Sequence, residues 1–175
     1  MVLCTAGITD RRVLVRHWKI AAVAAAALSH PVSASDLVLG LGRDNIDDDK
    51  SDATVLQLEY HGNPMLEYGW GTISLFGAAE IDDDSDIYLG AGVSALWEVS
   101  EKWFVEGSLA GGYYDAGSDG NDLGGHVQFR TLIGVGVQLS DSRRISVAAD
   151  HLSNAGLKDR NPGRNAIFLR YAISF

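Results

Sequence analysis

Near the C-terminal end of this chain, a histidine and a serine stand two positions apart at His151 and Ser153, followed by Asn154 and, eleven residues on, by Asn165. A serine hydroxyl is a weak nucleophile until a base takes its proton, and the imidazole of histidine has the affinity for that task near neutrality. A third group must then hold the ring in the productive tautomer. In an extended strand, positions two apart share a face and lie about 6–7 Å apart at their Cα atoms. The spacing therefore permits the imidazole to reach the hydroxyl, provided that both residues lie on a strand.

The rest of the chain supplies strands. Its 175 residues include 20 glycines and 3 prolines, and 46% are apolar but dispersed. From Asp36 onward, eight segments rich in branched, aromatic and glycine residues read as strands: 37–42, 54–61, 68–78, 87–99, 103–114, 126–139, 144–153 and 165–175. The gaps at 43–53, 79–86, 115–125 and 154–164 are full of Asp, Asn and Gly. They alternate with tight turns expected at Gly62-Asn63-Pro64, Ser100-Glu101-Lys102 and Ser140-Asp141-Ser142-Arg143. Long loops thus fall on one rim and short turns on the other, as in outer-membrane barrels.

Alternation within the segments points the same way. In the sixth, Val127, Phe129, Thr131, Ile133, Val135, Val137 and Leu139 share one face, while His126, Gln128, Arg130, Gly134, Gly136 and Gln138 share the other. The polar face collects Glu59, Glu98, Glu106, Arg130 and Arg170 among glycines, which suits a narrow hydrogen-bonded interior. The third segment alternates too poorly to assign. The expected fold is an eight-stranded, antiparallel, up-and-down transmembrane β-barrel. An open soluble sandwich or a lipocalin-like barrel is the structural alternative. Tyr60, Trp70, Trp97, Trp103 and Tyr113 near strand ends fit interfacial girdles, and the chain closes on the aromatic Phe175.

The one continuous apolar stretch, Ile20 to Leu28, follows Arg11, Arg12, Arg16 and Lys19 and precedes Val32-Ser33-Ala34. Nine residues are too few to span a bilayer as a helix, which takes about 20. The order is that of a secretory signal peptide, so residues 1–34 are expected to be removed, leaving a barrel over 35–175. Removal takes away four of the 14 basic residues and one of the 23 acidic ones, so the exported chain is more acidic than the precursor's net −9 and is a poor nucleic-acid binder. The single cysteine, Cys4, goes with the leader, which rules out a disulfide or a cysteine-ligated metal in the exported protein. Asp47-Asp48-Asp49 and Asp82-Asp83-Asp84 lack the Gly and Glu of a calcium loop and read as solvated tips. His61, His126 and His151 show no metal spacing. No metal or other cofactor is implied.

Parity along the seventh segment puts Ile145, Val147, Ala149, His151 and Ser153 on the lipid face and Arg144, Ser146, Ala148 and Asp150 inside. Across the hairpin, Asn165 shares the outward face with Ile167, Leu169 and Tyr171. Polar groups on a lipid-facing surface are costly unless they pair or do chemistry. The string His151-Leu-Ser-Asn-Ala-Gly-Leu-Lys-Asp-Arg-Asn-Pro-Gly-Arg-Asn165 closely resembles the signature of the lipid A 3-O-deacylase (PagL) family, outer-membrane enzymes that remove the 3-O-acyl chain of lipid A. The resemblance implies a serine esterase acting on lipid A of lipopolysaccharide, with Ser153 as nucleophile and His151 as general base. It places Asn154, with a loop amide such as that of Gly156, in the oxyanion hole. At the family's triad-acid position stands Asn165, an amide, with Asp159 as a possible substitute acid and Asp150, facing inward, as a weaker one. The alternatives are a non-catalytic outer-membrane barrel, whether adhesive, structural or a degenerate deacylase, and an acyltransferase.

Overall fold

The computed structural model describes residues 34–44 and 53–175. Residues 1–33 of the expected leader and the Asp47–Asp49 run lie outside the described residues, and the leader's expected last residue, Ala34, opens the first strand. Eight strands follow in order: β1 (Ala34–Asp44), β2 (Thr54–Tyr68), β3 (Gly71–Asp82), β4 (Ile87–Glu98), β5 (Trp103–Asp115), β6 (Val127–Ser140), β7 (Arg143–Ser153) and β8 (Arg164–Ser174). Each pairs antiparallel with its sequence neighbours, and β1 pairs with β8, which closes the barrel. Closure leaves no unpaired sheet edge, the condition for crossing lipid with strands.

The two faces are sorted as the alternation requires. Leu39, Leu41, Leu56, Leu75, Leu89, Val93, Leu109, Ile133, Val135, Val147, Ile167 and Leu169 are exposed as an outer apolar belt. Tyr68, Trp70 and Trp97 stack in sequence at the short-turn rim, with ring centroids 4.8 Å and 6.0 Å apart. That placement is the interfacial one for amphipathic rings.

The second and third strands depart from expectation. Gly62-Asn63-Pro64 has turn chemistry, yet β2 runs through it to Tyr68 and turns at Gly69-Trp70. The register shifts between His61 and Leu66, so Pro64, which has no N–H to give, sits at an irregularity in the ladder. β3 then continues to Asp82, which shortens the expected 79–86 loop to four residues. Its faces were hard to read because the large residue Phe76 and Ala78 point inward while Gly77 and Ala79 face outward between Leu75 and Ile81.

The interior is held by ion pairs. Glu59 accepts from Arg130, Arg170 and, at 2.7 Å, His61. Glu80 accepts from Arg130 at 2.7 Å, Arg164 at 2.6 Å and Gln57 at 2.9 Å. Arg164 Nη2 reaches Asp150 Oδ1 at 3.5 Å. Glu106 accepts from Arg170 at 3.0 Å and from Ser146 at 2.6 Å. These charges are costly to bury, and they are tolerated because Glu59, Glu80 and Glu106 each meet two or more donors. The network ties β2, β3, β5 and β6 to the last hairpin.

Candidate active site

β7 and β8 present their polar outward residues at the long-loop rim. His151 and Asn165 are direct cross-strand partners. The Nδ1–H of His151 donates to Asn165 Oδ1 at 2.7 Å. An amide oxygen can only accept, so Nδ1 carries the hydrogen of this bond and, in the neutral ring, the lone pair is on Nε2. Ser153 lies two residues along the same strand, on the same face, half-buried and paired with Phe129 of β6. The structure thus brings His151 and Asn165 into contact and sets Ser153 beside them. No hydrogen bond joins the serine hydroxyl to the ring.

The hairpin loop shapes this corner. Leu157 N–H bonds to Asn154 O at 3.0 Å, and φ is +53° at Ala155 and +79° at Gly156, so residues 154–157 make a tight turn with left-handed backbone at both central positions. Asn154 is fully buried. Its Nδ2 donates to Arg160 O at 2.7 Å and Leu123 O at 3.2 Å, and its Oδ1 accepts from Gly156 N–H at 3.0 Å. Its own N–H donates to Asn161 Oδ1 at 2.9 Å. Asn154 and Gly156 are therefore engaged in holding the turn that directly follows Ser153. Asp159 is exposed in the loop and Asp150 faces the lumen against Arg164. Neither shares a hydrogen bond with the ring.

Four residues to which the sequence alone assigned no role support the site. Gly163 has φ +69°, and a methyl group there would come within 2.9 Å of His151 Cε1. Only glycine lets the loop pass this close to the ring. Leu123, the one large apolar residue of the 116–126 loop, is buried against Phe76, Tyr88, Tyr114 and Leu152 and plugs the lumen beneath the turn. Its isolation in a polar loop was the available signal. Asn161, from the same string as Gly163, anchors Asn154. Arg160, paired with Asp122, completes the bridge between the two loops.

The model of the lipid A 3-O-deacylase (PagL) family matches residues 56–174. The lipid A deacylase PagL of Bordetella bronchiseptica is 32% identical over 80 residues, a stretch that spans 45% of this chain and 45% of that protein. The chain is similar in fold to the crystal structure of the outer membrane enzyme PagL, with a TM-score of 0.59 at 18% identity over 81% of this chain and all of that one. It is also similar to Neisserial surface protein A, with a TM-score of 0.52 at 9% identity over 81% of this chain and 96% of that one. At these identities, the structural likenesses speak to the barrel alone.

Proposed function

We propose that this chain, which belongs to the lipid A 3-O-deacylase (PagL) family, is an integral outer-membrane serine esterase that removes the ester-linked 3-O-acyl chain from lipid A. The observation that carries the reading is the 2.7 Å bond from His151 to Asn165 on the outer surface, with Ser153 next on the same face. A polar trio in the lipid-facing wall meets an ester only in a membrane lipid. Its place at the long-loop rim supports a meeting with outer-leaflet lipid, because the long loops of outer-membrane barrels are extracellular.

In this reading, Ser153 Oγ attacks the ester carbonyl carbon as its proton passes to His151 Nε2. The tetrahedral intermediate collapses, the C–O bond to the sugar breaks, and the departing sugar oxygen takes that proton. Water then attacks the acyl-serine, again giving a proton to His151, and the fatty acid leaves as Ser153 regains its hydrogen. Asn165 holds the ring throughout without neutralising the transient imidazolium. Oxyanion stabilisation falls to the 154–157 turn. Asn154 and Gly156 serve there by fixing the turn, and either donates to the oxyanion only by exchanging a bond it now makes within the loop.

Mass spectrometry of lipid A from cells expressing the chain tests the proposal. Loss of one hydroxyacyl chain, absent with Ser153→Ala, is the expected result. Unchanged lipid A, or equal loss with the variant, refutes it. The amide at Asn165 is the feature that favours a degenerate, inactive barrel instead. A phosphonate probe that fails to label Ser153 would support that reading, and product analysis separates hydrolysis from acyl transfer.

A further inference from the structure

The buried carboxylate of Asp86 has no part in the site described above, yet it organises the loop on which that site leans. Asp86 ends the short β3–β4 connection, where its N–H donates to Asp82 Oδ1 at 2.8 Å. Its Oδ1 accepts from Gly117 N–H at 2.7 Å, and its Oδ2 accepts from Asn121 N–H at 2.9 Å and from the Tyr114 hydroxyl at 2.6 Å. Two backbone amides four residues apart are thus drawn to one side chain, which sets the first half of the 116–126 loop. A methyl group on Gly120 would overlap Asp86 Oδ1, so the loop wraps the carboxylate too closely for any side chain there. Hydrogen bonds from charge-seeking donors of this kind are what make a buried carboxylate a firm anchor.

The second half of the same loop makes the contacts to the hairpin of β7 and β8. Leu123 is buried in one cluster with Tyr114 and Leu152, and its carbonyl accepts from Asn154 Nδ2 at 3.2 Å. Gln128 of β6 donates to Leu123 O at 3.3 Å and to Gly125 O at 2.6 Å, which holds this end from the lumen side. Gly124, at φ +82°, passes so close to the hairpin loop that a methyl group on it would overlap Arg160 O, the other acceptor of Asn154 Nδ2. Residues 155–162 are exposed, so Asn154 is the residue through which the 154–157 turn meets packed protein. A continuous run of hydrogen bonds and buried contacts therefore leads from Asp86, through Tyr114 and Leu123, to the turn that directly follows Ser153.

We infer that Asp86 is a positioning residue for the 154–157 turn and acts on it through the 116–126 loop. Its consequence for catalysis rests on the esterase reading above, in which that turn supplies the oxyanion stabilisation. With the carboxylate in place, the loop is held at one end by Asp86 and at the other by Gln128, and Leu123 O is presented to Asn154 at a fixed point. Without it, Gly117, Asn121 and Tyr114 lose their shared acceptor, Leu123 O is free to shift, and Asn154 either follows it or gives up one of the bonds of its Nδ2. Either way the turn amides move relative to Ser153, while His151 and Ser153, which are set by the strand ladder, stay in register.

The test uses the full chain in detergent micelles and combines hydrogen–deuterium exchange with kinetics on lipid A. Asp86→Ala removes the acceptors, Asp86→Asn keeps the shape and one acceptor oxygen, and Gly124→Ala disturbs the far end of the loop without touching Asp86. The amides of Asn154, Gly156 and Leu157 should exchange about tenfold faster in Asp86→Ala and Gly124→Ala, with Asp86→Asn between these and the wild type, while Val147 and Leu169 in the β7–β8 ladder keep their protection. In the same two variants kcat should fall about 30-fold with KM for lipid A kept within about twofold. Asp119→Ala, on the exposed part of the same loop, should change neither readout. Faster exchange along the ladder as well would make Asp86 a general stability residue and overturn the inference, as would a 116–126 loop that loosens while the 154–157 turn does not. A loosened turn with kcat kept overturns the role in catalysis. A wild type that leaves lipid A intact refutes the esterase proposal, and exchange then decides the coupling of Asp86 to the turn by itself. Should Asp86→Ala fail to assemble, Asp86→Asn and Gly124→Ala carry the same comparison.

Discussion

Replacing Asn165 by aspartate isolates what a charge at the third position of the proposed triad is worth. Aspartate is isosteric with asparagine, so the 2.7 Å contact with His151 Nδ1 is retained and the change is one of charge. When His151 takes the serine proton, its ring carries a positive charge about 4 Å from the centre of the new carboxylate. Their attraction is about 1 kcal/mol in bulk water and about 4 kcal/mol at the effective dielectric of a protein surface. The ring is exposed at the rim and Asn165 is half-buried, so an intermediate value of about 2 kcal/mol is appropriate. That predicts an increase of about 30-fold in kcat for Asn165→Asp. In serine triads the reverse change, acid to amide, costs about 10⁴ because it also installs the wrong tautomer. Here Oδ1 already faces Nδ1, so the tautomer is correct and the gain should be far smaller. Asn165→Ala, which removes the acceptor, should lose about tenfold. The assay is release of hydroxy fatty acid from lipid A at saturating substrate in micelles. A gain near 10⁴ would show that the amide presents its nitrogen to the ring. No gain with aspartate together with no loss with alanine would show that Asn165 does not orient the base, and the catalytic reading of the hairpin would fail with it.

Other expectations follow from the loop and the lumen. Gly163→Ala adds a methyl 2.9 Å from His151 Cε1 at a left-handed position, and should cut activity about a hundredfold or more by displacing the ring while the barrel still folds, as read by kcat/KM alongside circular dichroism. Ala155→Gly relieves a non-glycine residue at φ +53° and should raise unfolding free energy by about 1 kcal/mol in a urea titration in micelles. Glu80→Ala leaves Arg130 and Arg164 without their shared carboxylate and should cost about 3–5 kcal/mol in the same titration, whereas Asp119→Ala on the exposed loop should change it by less than about 0.5 kcal/mol.

The barrel was legible because a strand between lipid and a polar lumen must alternate, and β6 does so in burial over the ten residues from Val127 to Gly136. It was illegible where size and side were decoupled. Phe76 fills the lumen beneath Leu123, so the face it shares with Ala78 looked apolar, and the outward Gly77 and Ala79 looked like a core pattern. Gly62-Asn63-Pro64 carries every local sign of a turn, yet a bulge absorbs it within β2, and local chemistry alone does not distinguish the two. The outward grouping of His151, Ser153 and Asn165 followed from parity, which needs no tertiary information. What holds Asn154 could not be read in this way. Its partners Leu123 and Arg160 lie on two different loops, and a contact between loops leaves no period in the sequence.

The outward pair and the inward network depend on one register. Along β7, Asp150 and Leu152 point in while His151 and Ser153 point out, and across the hairpin Arg164 points in while Asn165 points out. A slip of one residue would exchange the faces. It would break the contact that aligns the imidazole, and it would also carry Asp150 and Arg164 out of the ion-pair network, leaving Glu80 without one of its two arginine partners, a loss that costs about 3–5 kcal/mol for a buried pair. The buried bonds of Glu80 to Arg164 and Arg130 therefore act at a distance on the outer surface. They favour the register in which His151 pairs with Asn165 over a slip of one residue. That constraint explains how a short polar motif facing lipid can be kept in line without a second layer of protein behind it: the layer that positions it is the barrel's own interior, one residue out of phase.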